Sequence, residues 1–172
     1  SSLPLIAASM PEIMTEPLEE THEKSIANQS IARITEGKSV IGIGPGMTTN
    51  SETAAFVRSV LHSATMPIVI DADGLNAFVD YPHELRGDDR AVVITPHPGE
   101  MARLIGKPVD NRIEAARDFA VSHNLYVVLK GFRTVIGAPD GCVYINPTGN
   151  PGMATGGTGD ILTGMIAGML AQ

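Results

Sequence analysis

Short apolar runs alternate along the chain with longer segments in which apolar residues recur at helical spacing. The runs are rich in valine and isoleucine and show no alternation of apolar with polar residues. The four runs span residues 39–44, 67–71, 90–95 and 125–130. Continuously apolar strands are typical of a parallel sheet that is buried on both faces. The pattern therefore predicts an α/β fold with helices on both sides of a mainly parallel sheet.

Helical spacing between these runs predicts helices at residues 25–36, 51–64, 73–79, 99–105 and 111–123. Asn50 or Ser51 is expected to cap the second helix, because short polar side chains accept the first free amide groups. Two strand-like runs near the end of the chain, 133–138 and 142–145, flank Pro139-Asp140-Gly141. This spacing predicts a late antiparallel hairpin at one edge of the sheet.

Residues 146–160, which we call the glycine loop, contain five glycines and two prolines and close on Asp160. The apolar run 161–171 follows at once and predicts a buried helix. Free amide groups at a helix N-terminus stabilise a phosphate, and glycines let the backbone approach it. Asp160, in the first turn, is placed to accept a proton from an attacking hydroxyl. The length of the loop disfavours the alternative, a plain turn with an ordinary aspartate. The predicted anion loop comprises Gly156, Gly157 and Thr158.

The composition limits the class of protein. The chain has 172 residues, 43% hydrophobic and 18% charged, so one globular domain over residues 1–172 is expected. A formal net charge of −7 argues against sequence-independent binding to nucleic acid or to an anionic membrane. No apolar run reaches the roughly 18 residues of a transmembrane helix, and no basic signal segment begins the chain. We expect a cytoplasmic protein whose domain is truncated at both ends, because no initiator methionine is present and the last residues fall inside a predicted helix.

Two residue types favour structural roles. Cys142 is the only cysteine, which excludes a disulfide framework and a thiolate zinc site. Its strand-like surroundings predict a small core residue. Four histidines lie in polar or helical-surface contexts and are expected to be solvated: His22, His62, His83 and His123.

Polar or glycine-rich tips follow each of the four apolar runs, at residues 42–46, 71–76, 95–100 and 130–134. Ligands bind beyond the carboxyl ends of strands in open parallel sheets. The glycine loop would join the tips at the same edge, so together they predict one site.

Several residues at this edge keep two interpretations. Gly44 and Gly46 either turn the chain or contact a ligand. Asp71 and Asp73 either cap the helix that follows or hold Mg²⁺ through water. Glu100 is either an N-terminal acid of a helix or a ligand of metal-bound water.

Two further side chains at this edge are expected to contact a ligand. His97 stands between two prolines, which stiffen its loop. Lys130 ends a buried strand and is expected to reach a nucleotide at the edge, where Gly131 would admit a close ligand.

These motifs together resemble the ADP- or ATP-dependent NAD(P)H-hydrate dehydratases, a branch of the ribokinase-like fold. The resemblance runs nearly end to end. Its more specific parts are Thr95-Pro-His-Pro-Gly-Glu100 and the lead-in 146–150, whereas Gly-Thr-Gly-Asp alone marks many related small-molecule kinases. The other matching motifs are Gly44-Pro-Gly46, residues 71–75, residues 129–134 and residues 151–164.

The resemblance implies a ribokinase-like three-layer sandwich and a repair reaction. A nucleoside phosphate would activate the unwanted ring hydroxyl of hydrated NADH or NADPH, which then leaves as phosphate. The resemblance further implies ADP or ATP as co-substrate, Mg²⁺, no metal held by protein side chains, a homo-oligomer such as a tetramer, and functional pairing with an NAD(P)H-hydrate epimerase.

The family pattern also assigns residues. It implies that Gly44, Gly46, His97 and Asp160 contact the hydrated dinucleotide, with Asp160 as the base. It implies that the nucleotide is contacted by Lys130, Gly131, Phe132, Arg133, Thr134 and Gly159.

Two other readings stay open. A ribokinase-like kinase of a small alcohol, such as a vitamin precursor, would use the same anion loop and Asp160 but release a phosphoester. The motif around His97 and the lead-in 146–151 favour the dehydratase. A non-catalytic nucleotide-binding fragment is the third reading.

Overall fold

A mixed six-stranded sheet organises the part of the chain that the computed structural model describes, residues 6, 8 and 12–172. The strands follow their chain order across the sheet, and β1 to β4 run parallel while β5 and β6 are antiparallel. The late hairpin and the mainly parallel sheet are thus confirmed. The strands are β1 (Ile41–Ile43), β2 (Ile68–Ile70), β3 (Val92–Ile94), β4 (Tyr126–Leu129), β5 (Val135–Gly137) and β6 (Val143–Ile145).

Helices with defined bounds precede, connect or follow these strands within the described residues. They are α1 (Ala32–Thr35), α2 (Ser51–Ser63), α3 (Asp73–Asn76), α4 (Pro98–Ile105), α5 (Arg112–His123) and α6 (Thr158–Leu170). Two short 3₁₀ turns lie at Pro82–Glu84 and Pro151–Met153. Asn50 caps α2, because its side chain accepts hydrogen bonds from the amides of Glu52 and Thr53. The helix after β2 is shorter than the predicted 73–79.

The helix predicted over 25–36 is wrong for most of its length. Only α1 forms, and the preceding residues are tied by tertiary contacts: the Ala27 amide donates to Glu19 O at 2.9 Å, and Thr53 Oγ1 donates to Ile26 O at 2.8 Å. Apolar spacing was modest in this segment, so contacts with α2 outweigh local helix preference.

Two apolar layers lie on opposite faces of the sheet. The larger contains the buried side chains of α2 to α5, including Phe56, Leu75 and Phe119. Right-handed crossovers between successive parallel strands place these helices on one face. The smaller layer is formed by Val69, Val93 and Val128, with α6 packed on it through partly buried residues. Helices therefore cover both faces, as predicted.

Gly137 of β5 allows α5 to lie against the sheet. A Cβ at this position would stand 2.5 Å from Ala116 O, closer than side-chain atoms approach a carbonyl oxygen. Any larger residue would push α5 away from β5.

Two structural expectations are corrected. Cys142 is exposed rather than part of the core. It lies in the turn before the edge strand β6, where its amide donates to Asp140 Oδ1. A hydrogen bond with Asp140, together with the charge of that carboxylate, raises the pKa of the thiol.

His123 is half-buried, not solvated. It stacks on Phe119 with ring centroids 3.9 Å apart, and its Nδ1 lies 2.9 Å from Leu85 O. Among the described residues, no helix is both long and apolar enough to cross a membrane.

Candidate functional site

An ion pair joins the tips of β2 and β4. Lys130 Nζ lies 2.6 Å from Asp71 Oδ1, and their side chains are 22% and 2% exposed. Strand alternation points both side chains toward the face that α6 covers, since Val69 and Val128 lie on that face two residues earlier. The sheet thus brings together two residues 59 positions apart.

Helix α6 begins on top of this ion pair. Thr163 Oγ1 donates to Asp71 Oδ2 at 3.0 Å in a buried contact. A Cβ on Gly159 would stand 3.4 Å from Asp71 Oδ2 and 3.6 Å from Lys130 Nζ. The first turn of α6, which carries Asp160, therefore rests directly on the tips of β2 and β4.

The tip of β3 is shaped by a reciprocal cap on α4. His97 Nδ1 accepts hydrogen bonds from the amides of Gly99 and Glu100, and the Glu100 carboxylate accepts the His97 amide at 2.7 Å. Glu100 is thus an N-terminal acid of helix α4, as the first of its two interpretations has it, and its contact with metal-bound water stays a prediction. Its Oε2 also lies 4.0 Å from Lys130 Nζ. The His97 side chain stays half exposed at the edge, 52% accessible.

Gly44, in the turn after β1, lies against the turn that follows β2. Its φ is 126°, and a Cβ there would stand 1.8 Å from Asp71 O, so no side chain fits. Gly46, with φ of 70°, has open space around it. Neighbouring atoms therefore exclude a side chain at Gly44 but not at Gly46, a difference that the sequence motif does not show.

The turn from Asp71 to Asp73 does not cap α3 with a side chain. Its N-cap is Ala72, which adopts φ 49° and ψ −122°, a conformation that disfavours every residue but glycine. Asp73 Oδ2 instead accepts the amide of Thr48 at 2.9 Å. The capping interpretation of Asp71 and Asp73 is therefore wrong: one binds Lys130 and the other holds the loop after β1.

Residues 130–134, which we call the nucleotide segment, fold around Arg112. The guanidinium of Arg112 donates to Phe132 O at 2.7 Å, to Leu129 O at 2.9 Å and to Lys130 O at 3.3 Å. Gly131 packs against it, with φ of 140°. Arg112 was missed by the sequence reading. The signal was present, because a cation in the first turn of a helix opposes the helix dipole and calls for another partner.

The outer part of the nucleotide segment is open. Phe132 is 83% exposed, and the Arg133 guanidinium lies 5.3 Å from the centre of its ring. Thr134 Oγ1 donates to Gly131 O at 3.1 Å. An exposed aromatic ring beside a cation offers a flat surface on which a base can stack.

The glycine loop meets α6 without a side-chain cap. Gly157 is the N-cap, with φ of 87°, and in the part of the chain that the structure describes no side chain accepts from the first amides of the helix. The amide of Thr158 donates to Thr155 O at 3.3 Å, which leaves those of Gly159 and Asp160. Thr155 and Thr158 bond to each other through their hydroxyls at 3.0 Å. Gly156 and Asp160 are exposed. The first turn of α6 therefore presents amide groups and one carboxylate to the edge.

The residues present do not form a metal site of their own. No three His, Cys, Asp or Glu side chains of residues 6, 8 and 12–172 are arranged to hold a metal ion. Both oxygens of Asp71 and of Glu100 already contact protein donors. These carboxylates do not fit direct coordination of Mg²⁺, which takes about six oxygen ligands including free carboxylate oxygens.

Comparison with known families identifies the chain. The family described as NAD(P)H-hydrate dehydratase matches residues 3–172. The chain belongs to the NAD(P)H-hydrate dehydratase family. A curated relative, the bifunctional NAD(P)H-hydrate repair enzyme of Moorella thermoacetica, is 45% identical over 175 residues, covering 98% of this chain and 33% of the relative. The ADP-dependent (S)-NAD(P)H-hydrate dehydratase of Bacillus subtilis is 43% identical over 143 residues, covering 81% of this chain and 50% of the relative.

Solved dehydratase structures share the fold. The ADP/ATP-dependent NAD(P)H-hydrate dehydratase of Bacillus subtilis, co-crystallised with ATP and Mg²⁺, superposes with a TM-score of 0.74 at 34% identity, covering 98% of this chain and 58% of that one. A ribokinase-like superfamily protein of Enterococcus faecalis gives a TM-score of 0.72 at 34% identity, over 81% of this chain and 50% of that one. The ribokinase-like fold is confirmed. This member of the dehydratase family spans about a third to three fifths of the relatives it matches.

In this dehydratase-family chain, several of the predicted site residues lie together at one edge. Gly44 approaches Asp71, Asp71 binds Lys130 and lies next to Gly159, and Lys130 lies 4.0 Å from Glu100 of the α4 cap that includes His97. Gly46 and Gly156 stand apart in open surroundings.

Proposed function

We propose that the protein restores NADH and NADPH from their hydrated forms in a reaction that consumes ADP or ATP. The observation that carries this proposal is the contact of helix α6 with the Asp71–Lys130 pair, made by the Thr163–Asp71 hydrogen bond beside Gly159. That contact brings the carboxylate of the next residue and the predicted nucleotide segment to one edge, in a chain of the dehydratase family.

The nucleotide is proposed to bind along residues 130–134. Lys130 supplies a cation for a phosphate oxygen, and charge-assisted hydrogen bonds of this kind are the strong ones. Phe132 and Arg133 offer the stacking surface for the base. The first amides of α6 face the transferring phosphoryl group, where developing negative charge is stabilised.

The reaction is proposed to run in two steps. First, the ring hydroxyl of the hydrated nicotinamide attacks the terminal phosphoryl group. A new P–O bond forms, the bond to the leaving AMP or ADP breaks, and the hydroxyl proton passes to Asp160. Second, the ring C–O bond breaks and phosphate leaves with the bonding electrons. The neighbouring ring carbon loses a proton to the departing phosphate, and the ring double bond re-forms.

Gly44, Gly46 and His97 are proposed to bind the hydrated dinucleotide. The exposed His97 ring supports this role, because its side chain stays 52% accessible at the edge although Nδ1 serves the α4 cap and Nε2 lies 3.4 Å from Glu100 Oε1. The loop bearing Gly46 leaves space for a ligand.

Mg²⁺ is proposed to enter with the nucleotide phosphates. Asp71, Glu100 and Asp160 bring three carboxylates to an edge with one lysine, so bound phosphates need further positive charge. No step above is assigned to the ion, since the side chains do not fit its direct coordination.

The proposal is tested by incubating the purified protein with hydrated NADH or NADPH and either ADP, ATP or no nucleotide. We expect the near-ultraviolet absorbance of the reduced nicotinamide to return, with one phosphate released per ring restored, only when nucleotide is present. A thiazole or pyrimidine alcohol serves as the competing substrate. Phosphorylation of that alcohol without repair of the hydrate would contradict the proposal.

Three further expectations belong to the same proposal. The protein is proposed to be cytoplasmic, to form a homo-oligomer such as a tetramer, and to act together with an epimerase that interconverts the hydrate epimers. The name of the Moorella relative, a bifunctional repair enzyme, supports pairing with a second repair activity. Light scattering of the purified protein measures the oligomeric state directly.

A further inference from the structure

Helix α6 is held on the sheet through one buried residue and a row of partly buried ones. The structure describes every residue of α6, and Thr163 is the one that is buried. Its apolar companions, such as Leu162 and Ile166, are only partly buried. Apolar packing tolerates small shifts along a surface, whereas a hydrogen bond fixes two atoms within a few tenths of an ångström. The Thr163–Asp71 bond therefore sets where α6 stands.

The same carboxylate holds the nucleotide segment. Asp71 Oδ1 accepts from Lys130 and Oδ2 accepts from Thr163, so one side chain at the tip of β2 joins the tip of β4 to α6. Asp71 is 1% exposed, which leaves no water to replace either partner. A buried carboxylate is costly unless its oxygens are satisfied, so both bonds persist together.

We propose that Asp71 and Thr163 are positioning residues that hold Asp160 at a fixed place relative to the nucleotide bound at Lys130. The inference rests on the proposed function, because it concerns the same site. Asp71 lies beneath Gly159, and Thr163 lies three residues beyond Asp160 on α6, so both act through the first turn of the helix. A displacement of about 1 Å costs up to about 10²-fold in rate.

The first test compares Thr163→Val with Thr163→Ser. Valine keeps the volume and removes the hydroxyl, while serine keeps the hydroxyl. We expect Thr163→Val to lower kcat about tenfold or more while the KM for nucleotide changes less than about twofold, and Thr163→Ser to recover most of the turnover. Equal kcat for the valine and serine variants, per folded protein, would overturn the proposal.

The second test is a double-mutant cycle with Asp71→Asn. If Asp71 and Thr163 act through one link, the double variant loses about as much kcat as the worse single variant, because the link can be broken only once. Losses that multiply would show two independent roles and would contradict the inference.

The third test separates this inference from the proposed function. Amide hydrogen exchange of the free protein reports the order of residues 159–164 without any turnover. We expect exchange there to be about tenfold faster in Thr163→Val than in Thr163→Ser. If the unchanged protein repairs no hydrate but this difference appears, the reaction is wrong and the positioning link stands. If repair occurs but exchange is equal, the link is wrong and the reaction stands.

Discussion

Asp160 shows how one residue is placed by its neighbours. The preceding glycines let the chain turn onto the ion pair of Asp71 and Lys130, and the carboxylate then stands exposed in the first turn of α6. The amide dipoles of that turn favour a carboxylate there. Among the described residues no side-chain hydrogen bond or ion pair holds the Asp160 carboxylate, so it is available to a hydroxyl.

We expect Asp160→Asn to lower turnover by at least about 10²-fold, because the amide keeps the shape and removes the base. Nucleotide affinity should hold or rise slightly, since one negative charge near the phosphates is gone. Steady-state assays and calorimetric titration of ADP measure the two effects. A variant that turns over like the unchanged protein would reduce Asp160 to an ordinary helix-start residue.

Lys130 pairs with Asp71 and is expected to bind the nucleotide, and a single substitution removes both interactions at once. Lys130→Met removes the predicted phosphate contact and leaves the Asp71 carboxylate buried with Thr163 alone. We expect a loss of stability of roughly 3 kcal/mol together with a loss in nucleotide binding of about 1–3 kcal/mol.

The double variant Lys130→Met with Asp71→Asn separates these roles. It removes the unpaired buried charge, so much of the stability should return while nucleotide affinity stays low. Chemical denaturation and calorimetry give both values. Recovery of nucleotide affinity in the double variant would show that Lys130 does not contact the nucleotide.

At the scale of single residues, the sequence predicted which side chains reach the edge but not which protein groups they bind there. Lys130 was expected there because it ends a buried strand. Its pairing with Asp71 joins residues 59 positions apart, and Thr163 bonds to Asp71 across 92. Contacts so distant depend on the order of the strands, which local patterns do not encode. Arg112 was missed for the same reason.

At the scale of elements, α4 is a short helix that depends on its cap. Eight residues form it, and proline occupies its first position. Isolated helices of this length are unstable in water, so the reciprocal bonds between His97 and Glu100 matter to its start. His97 therefore combines a capping role with the predicted contact to substrate.

Two substitutions distinguish these roles. Asparagine is a good N-cap, so His97→Asn should keep the melting temperature close to that of the unchanged protein, whereas His97→Ala should cost about 1 kcal/mol of stability. Both should raise the KM for hydrated NADH if the ring contacts the substrate. An unchanged KM in His97→Asn would leave His97 as a cap alone.

Elements with strong patterns were predicted well, and weak ones were not. The caps and apolar spacing of α2 and α5 gave their bounds to within a residue or two. The segment before α1 failed because its contacts with Glu19 and Thr53 outweigh a modest helical pattern. The exposure of Cys142 was missed because a short edge strand is apolar in sequence but covered on little of its surface.

At the scale of the molecule, the two faces of the sheet differ in what they do. One face carries α2 to α5 and the large apolar layer, and the other carries α6, whose Thr163 bonds to Asp71 at the tip of β2. The predicted α/β class followed from the continuous apolar strands. The assignment of α6 to the thinner face did not, because nothing in its own residues distinguishes the two sides.

His123 links the stability of the whole fold to pH. Burial lowers the pKa of this histidine, the bond to Leu85 O opposes the shift, and the charge of Arg86 adds to the lowering. The unfolded chain keeps the ordinary pKa of about 6.5 and so takes up the proton first as pH falls. The stabilising contribution is fully present above that value and declines as pH falls toward the lowered pKa.

We therefore expect the free energy of unfolding to fall as the pH drops below about 6.5, and to fall less in His123→Phe. Phenylalanine keeps the stack on Phe119 but does not titrate. Urea denaturation at several pH values measures the slope, with His22→Gln, at an exposed site, as the matched control. The same slope in both variants would assign the pH dependence to other groups.

The backbone at Ala72 bears on how this protein would respond to selection for heat resistance. Its φ of 49° with ψ of −122° is a conformation that costs a non-glycine residue roughly 1–3 kcal/mol. Glycine at this position would relieve that cost, so a laboratory search for thermostable variants should reach Ala72→Gly early. The same change would loosen the residue next to Asp71, which holds both the nucleotide segment and α6. Heat resistance gained by Ala72→Gly would therefore be accompanied by slower turnover. Selection for turnover would then keep alanine at this position among natural variants, although glycine would be the more stable choice.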